Sequence, residues 1–525
     1  MLLILLGSIF YSDYSYFVKG LLLAVLVLLY FVARFVYKIV IAPILLARFY
    51  KKQGIQTCYF KGSDPIKTWD ELAIKHGDSL YPWTEFSNKN PDAPAVLINL
   101  GPLVRLQLVN PAYIKEFLSK EFELYRKGPM FEIFEVCFGD AIAVVPPEQW
   151  KARRRIYSEA FHFDFLKDYL PKIEDQAIRF CNNVHPSKMD SMDIFKLSKY
   201  FTGAIASEIF FGQDITDEKI EGETIIKFLT DYCDRTIGLL RSVWVFLFGP
   251  KIINRKLTKA HREMVRRRAV FKKACKEIIA KKEEAMKKNE RTSAKKTDLL
   301  EIFIKAKSDP GTKLTDEGII SEFIGFFFAG TDTTSYLISH ACYFIASRPD
   351  ITKRLRDEIS SHWSLGKPLT FDIINKFEYL HAFLKEVHRW VSIAFNTGDR
   401  QATKDHKILD LTIQKGTNVV IGFRTMSFNP KFFKNPYEFD PDRFLRKDPE
   451  EKFNSDPFTW VPFSAGRANC LGQHVAMAES RVIMAHILMR YDLILPENFE
   501  YKLHVGEIGF LVPMQPMLLK LKPRV

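Results

Sequence analysis

The sequence predicts a mainly α-helical protein with a minor β component, preceded by a single N-terminal transmembrane helix. Three observations carry that reading. Residues 20–33 carry no charge and are dominated by Leu, Val and Phe; long stretches with apolar residues at helical spacing fill most of the chain beyond; short β-type runs lie early and late.

The apolar run comes first. Fourteen residues are too few to cross a bilayer, but with Lys19 and Arg34 reaching out to the interfaces the segment extends over about 14–36, the length a spanning helix needs. A cleaved signal peptide is the alternative, weakened by the lack of an early basic region and of a small-residue cleavage signal after the run. Arg34, Lys38, Arg48, Lys51 and Lys52 follow the segment while Lys19 and Asp13 lie on its other side. The positive-inside rule therefore predicts a cytosolic downstream chain. The patch 39–47 is short and contains Pro43, which reads as a membrane-surface segment or a stiff connector. The predicted organisation is an anchor and connector over 1–50 and one domain over 51–525.

Within that domain, helical patterns run over 148–160, 167–182, 193–211, 220–238, 254–288, 316–347, 350–361, 373–390 and 471–489. Strand-like runs occur at 95–99, 105–109, 418–421 and in the 509–519 region, with others near Ile408 and Leu411. Residues 289–297 are polar and without period, hence a loop. Asn, Pro, Phe and Asp alternate over 429–446 without either period, which reads as a long ordered connector.

Composition bounds the function. With 525 residues, 47% of them apolar, the chain can bury a large core, and 14% aromatic content with 45 Phe suits an apolar interior or ligand cavity. Seven cysteines, an odd number without a C-x-x-C spacing, argue against a zinc ribbon and a dense disulfide framework, and fit a reducing compartment. The net charge is +14, and 251–296 holds 18 Lys and Arg against 5 Glu, so the remainder is nearly neutral. This basic stretch reads as a solvated helical face, or as a surface attracted to acidic lipids or an acidic partner. No base-reading module accompanies it, which argues against nucleic acid.

The stretch 463–472 ends as a helix-forming run begins, where exposed amides and the helix dipole favour a thiolate at Cys470. Gly466 and Gly472 permit the close backbone approach that a flat cofactor over the loop would need. A cysteine before a helix is also often a small buried hydrophobe, so the loop alone leaves both readings open.

Its neighbours decide. Phe463, Gly466, Cys470 and Gly472 occupy every fixed position of Phe-x-x-Gly-x-x-x-Cys-x-Gly, the heme-binding loop of the cytochrome P-450 superfamily, and the chain resembles the eukaryotic, microsomal type of that family. The resemblance extends, in the family's order, through Trp150-Lys151-Ala152-Arg153-Arg154, Ala329-Gly330-Thr331-Asp332-Thr333-Thr334, Glu386-Val387-His388-Arg389 and Phe439-Asp440-Pro441-Asp442-Arg443-Phe444. It implies the cytochrome P-450 fold and heme b as cofactor, with Cys470 the axial thiolate on iron and Phe463 packed beside its sulfur. Trp150, Arg154 and Arg400 are the implied partners of the heme propionates. In one departure, Ala468 stands where the family has a basic residue, and Arg467, one place earlier, is the implied substitute.

In the run 319–337 the resemblance gives Ala329 and Gly330 the task of leaving room over the iron. Thr333 would polarise the helix at the oxygen site and Asp332 would connect it to solvent as a proton relay. The plainer reading of the same residues is threonine back-bonding and a surface aspartate. Phe327, Phe328, Met130, Phe131, Phe134, Ile393, Ala394 and Phe395 are the implied apolar substrate wall, with ordinary core packing the alternative. Glu386 and Arg389 share a helical face, and the resemblance implies a buried cluster completed by Arg443, structural in role.

The implied activity is that of a membrane-anchored monooxygenase. One atom of O₂ enters a hydrophobic small molecule (lipid, steroid, fatty acid or xenobiotic) by hydroxylation or epoxidation, and the other leaves as water. Two other readings stay open: an isomerase or dehydratase of lipid peroxides, against which Asp332 and Thr333 weigh, and a heme redox protein without turnover. The implied electron donor is a separate NADPH-dependent flavoprotein reductase docking near Cys470, with cytochrome b5 as a second donor. The implied location is the endoplasmic reticulum membrane, single-pass, catalytic domain cytosolic, with 243–248 around Trp244 dipping into the leaflet or forming a tight loop.

Overall fold

The computed structural model describes residues 15–59, 65–100, 103–161, 163–182, 191–212, 215, 218–239, 245, 248–289, 298–446, 456–506 and 510–524. Trp244 with most of 243–248, residues 290–297 of the predicted loop and the side chain of Met130 lie outside the described residues. The first helix, Tyr16–Val36, buries none of its residues and is long and apolar enough to cross a membrane. Ser15 caps it by accepting the Val18 N–H.

The helical path does not stop there. A π-type turn, Tyr37–Ile41, leads into the helix Ala42–Lys51 with Pro43 in its first turn. Proline brings no N–H to an α-helical ladder, and the widened turn before it absorbs that defect. Pro43, Ala47 and Tyr50 are buried, and the Tyr50 hydroxyl donates to Thr417 Oγ1 at 2.9 Å. The predicted connector is thus a short helix pinned to the body.

A six-stranded mixed sheet forms one side of that body, in the order Thr57–Tyr59, Ala95–Leu100, Leu103–Leu108, Asn418–Ile421, Arg400–Ala402, Tyr125–Lys127. Helices make the rest. The central one, Asp316–Ser347, starts at a Thr315 cap and buries most of its residues against Ile194–Phe211, Glu378–Val391 and Gln473–Arg490. The last of these packs in turn on Phe163–Asn182. Its first turn begins at the loop carrying Cys470, so the fold brings the C-terminal thiol loop under the middle of the central helix.

The sequence expectations hold for the long helices and need correction elsewhere. The stretch 373–390 is two helices, Phe371–Asn375 and Glu378–Val391, because the Glu358 carboxylate accepts the N–H groups of Tyr379 and Leu380 and so starts a second helix there. The pattern at 220–238 opens with a small hairpin, Lys219–Ile220 with Glu223–Thr224, before the helix Ile225–Gly238. Four helices absent from the sequence reading, Pro65–His76, Tyr81–Lys89, Pro111–Leu124 and Pro129–Phe138, carry proline at or next to their first residue. Proline interrupts a helix interior but suits the first turn, where the N–H has no intrahelical partner.

Candidate active site

The thiol loop is built from turns. Ser464 N–H donates to Val461 O at 2.8 Å, Gly466 takes φ +74°, and Cys470 N–H returns to Phe463 O at 2.9 Å. The positive φ at Gly466 is what excludes other side chains, since a Cβ there would meet only ordinary contacts. Cys470 is the exposed one of the seven cysteines, and it opens onto a cavity of about 460 Å³. Burial pushes its thiol above the ordinary value, while the Gly472 amide, Arg154 and the Gln473 amide pull the other way. A cation bonded to the sulfur would reverse that balance, because a coordinated thiol loses its proton outright.

Across the cavity stands the central helix. Ala329, Gly330 and Thr333 line the same space as Cys470, Ala468 and Gly472. Ala329 is exposed to it in the middle of an otherwise buried helix, and a Cβ added at Gly472 would meet nothing within 4 Å. The void is bounded by small residues on two sides and a thiol at one end, so it would admit a flat macrocycle held through the sulfur. The Thr333 hydroxyl donates to Ala329 O at 2.6 Å, so the plainer back-bonding reading also describes it.

Asp332 turns to the opposite face. It pairs with Lys199 on Ile194–Phe211 at 2.9 Å, and Lys199 also meets Asp234 at 3.0 Å, whose side chain is 45% exposed. Burial pushes the Asp332 carboxyl up, and Lys199 counters it. The three side chains form a charged line from the central helix to the surface.

Of the predicted propionate partners, Arg154 donates to Asn469 O at 2.6 Å and to Asn469 Oδ1 at 2.5 Å, one residue from Cys470. Arg400 lines the cavity, paired with Glu121 and lying 5.0 Å from the Phe131 ring centroid. Trp150 stacks on Phe122 at 4.5 Å and is not part of the cavity wall. Arg467 is exposed on the short turn Gly466–Ala468, and the neighbouring Ala468 lines the cavity.

The apolar wall also differs in part. Phe131, Ile393 and Ala394 line the cavity, whereas Phe327 packs toward Gly203, Phe328 against Phe138 and Phe395 against Trp83. Phe134 stacks on Phe138 at 5.4 Å. The helical phase turns Phe326 to the cavity instead. Sequence reasoning missed Glu322, which lines the cavity two turns before Ala329 and accepts Arg153 Nη1 at 2.9 Å, the Tyr157 hydroxyl at 2.9 Å and Ile142 N–H at 2.8 Å. Burial raises its carboxyl to about 7. It missed Lys199 too; a lysine among apolar residues on the buried face of 193–211 was the available signal.

Beneath the thiol loop, Glu386 and Arg389 are fully buried and doubly bonded, at 2.7 Å for each N···O pair. Arg389 also donates to Ser427 O and Pro436 O at 2.8 Å, Asp440 N–H donates to Glu386 at 2.9 Å, and Arg443 stands 3.6 Å from the same carboxylate. The connector 429–446 is therefore held by a buried charge cluster. Between its residues sits His388, whose ring faces Phe463 at 5.1 Å.

Burial lowers His388 and His340 to about 4. Each stays neutral in the fold yet takes up a proton below about 6.5 once unfolded, so the stability present above that pH is lost as pH falls toward 4, by about 2 kcal/mol per histidine at pH 5. Unfolding temperatures of the full chain should drop over this window, and His388→Leu should flatten the slope. An unchanged slope would assign the acid sensitivity to other groups.

The fold and the thiol-bearing cavity define a class of protein. The family model described as Cytochrome P450 matches residues 82–521, and the chain belongs to that family. Probable cytochrome P450 4e1 of Drosophila melanogaster is 26% identical over 437 residues, 79% of this chain and 78% of the relative. Cytochrome P450 4V2 of Homo sapiens is 25% identical over 460 residues, 84% of each chain, and cytochrome P450 3A13 of Mus musculus is 28% identical over 437 residues, 80% of this chain and 82% of its own. The protein is accordingly a heme-dependent monooxygenase acting on hydrophobic molecules.

Proposed function

We propose that the cavity binds heme b, which Cys470 would hold through its thiolate, and that the enzyme hydroxylates or epoxidises a hydrophobic small molecule with electrons from an NADPH-dependent flavoprotein reductase. The observation that carries this is the Cys470 thiol opening onto a cavity whose opposite wall is the small-residue turn Ala329-Gly330. Bound heme supplies the centre at which O₂ is reduced and one of its oxygen atoms passes to substrate.

The chain's own residues do the rest. Phe463 covers the sulfur side, and the Gly472 and Gln473 amides with Arg154 stabilise negative charge on Cys470. Arg154 and Arg400 are the cations available for propionates. Thr333 holds its hydroxyl at the cavity wall, and the Asp332–Lys199–Asp234 line joins the residue next to it, on the other face of the helix, to the surface. Phe131, Phe326, Ile393 and Ala394 keep water out and favour apolar substrate.

Basic residues after the anchor support a cytosolic catalytic domain at the endoplasmic reticulum membrane, with cytochrome b5 as a second electron donor. A reduced-CO difference spectrum tests the reading: a band near about 450 nm supports thiolate ligation, and protein without heme overturns it. Thr333→Ala should lower the product formed per NADPH consumed by about a hundredfold, the low end for losing a positioned group in proton transfer; unchanged coupling would remove Thr333 from the chemistry. Arg467→Ala should lower the heme-to-protein ratio if the side chain turns to a propionate when heme binds, and an unchanged ratio would make it a surface residue.

A further inference from the structure

The connector between the helices Pro129–Phe138 and Pro147–Ala160, residues 139–146, belongs to neither helix nor sheet, yet Ala141, Ile142 and Ala143 within it line the cavity. Backbone groups in such a stretch must find partners outside a regular ladder. Val144 N–H and Val145 N–H donate to Ala141 O at 2.9 and 3.2 Å, closing a turn. Side chains supply the other partners. Glu322 accepts Ile142 N–H, while Lys127 Nζ donates to Ile142 O at 3.2 Å and to Val145 O at 2.9 Å. Arg153 donates to Asp140 O, to the Asp140 carboxylate at 3.2 Å and to Glu322 at 2.9 Å.

Both holding residues stand on fixed platforms. Lys127 ends the strand Tyr125–Lys127, in register with Arg400 in the six-stranded sheet, and Glu322 lies within the buried central helix. Ile142 is thus gripped by both of its backbone groups, its carbonyl from the sheet and its N–H from the helix. Lys127 also lies 5.7 Å from the ring centroid of Phe131, itself a residue of the cavity wall. Burial, with Arg400 close by, lowers the Lys127 ammonium to about 7. Ordering this side chain against the connector therefore carries a desolvation cost, which its two bonds to carbonyls offset.

We propose that Lys127 and Glu322 are positioning residues that hold Ile142 and its neighbours as a wall of the cavity, and that this clamp favours slim substrates over bulky ones. The proposal rests on the cavity being the substrate site. A buried helix such as the central one cannot yield without repacking the core. The connector is held by a few side-chain bonds, so it is the part of the wall that can move outward. Without Lys127 the carbonyls of Ile142 and Val145 would turn to water, and the space beside Ile142 would widen.

The test compares the full, heme-loaded chain with Lys127→Met, Lys127→Arg and Ile142→Ala by spectral titration with two azole probes, the slim N-octylimidazole and the bulky clotrimazole. The ratio of their dissociation constants is the readout, because a general loss of stability would weaken both. Lys127→Met should shift the ratio several-fold toward clotrimazole. Lys127→Arg keeps N–H donors and should shift it less, and Ile142→Ala should shift it by itself. In the double variant of Lys127→Met with Ile142→Ala the two shifts should not add, since the lysine acts through the isoleucine. An unchanged ratio in Lys127→Met, or additive shifts, overturns the clamp. Hydrogen exchange of peptides covering 139–146 gives a second readout that needs no heme: it should be slow in the unaltered chain and several-fold faster in Lys127→Met, with the central helix unaffected. If Lys127→Met folds too poorly to titrate, fast exchange across 139–146 in the unaltered chain overturns the proposal, and slow exchange there together with a ratio shift in Ile142→Ala supports it. A chain that takes up no heme counts against the heme reading and leaves the exchange result standing.

Discussion

Cys470→Ser should abolish the reduced-CO band near about 450 nm and bring substrate-dependent turnover to background, without unfolding the chain. The backbone contact from residue 470 to Phe463 O and the turn at Gly466 do not depend on sulfur, so the loop should keep its shape. A serine hydroxyl at the same point is far harder to deprotonate than a thiol, and burial, which already disfavours charge at Cys470, would add to the difficulty. Far-UV circular dichroism and a thermal melt separate loss of the ligand from loss of the fold. A serine variant that kept the thiolate–CO band would overturn the assignment.

The second large effect is on stability. Arg389→Ala should cost about 3–5 kcal/mol, the range for breaking a fully buried ion pair from one side. It would leave Glu386 charged in the core and remove the donor to Ser427 O, Pro436 O and Glu438 O, which ties the connector 429–446 to its helix. The expected outcome is little heme-loaded protein and a markedly lower unfolding temperature. Pairing it with Glu386→Gln should recover part of the loss, since the orphaned charge goes with it. Purely additive losses would mean that the two residues act independently, which their geometry contradicts.

Much of this protein could be read from the chain before any tertiary contact was known. The anchor follows from an uncharged apolar run, because a bilayer imposes length and hydropathy on one continuous segment. The central helix agrees with its predicted limits of 316–347, since its Thr315 cap and its periodicity are local signals. The thiol loop was legible for the same reason: glycines that permit a turn and a cysteine before a helix all lie within ten residues.

What only the tertiary structure decided concerns direction and distant partners. Periodicity says that 319–337 is buried, but not that Phe326 faces the cavity while Phe327 and Phe328 face neighbouring helices; all three are apolar and the phase is set by packing. Composition offers Arg467 and Ala468 as neighbours, and a short turn sends one to solvent and the other to the cavity. Lys199 and Asp332 are far apart in sequence and meet at 2.9 Å only because two helices pack face to face. Local patterns record what each segment requires of its surroundings: a buried face, a cap, a turn. Which segment meets that requirement is settled by the collapse of the whole chain, where a buried charge must find its counterion wherever the fold places one.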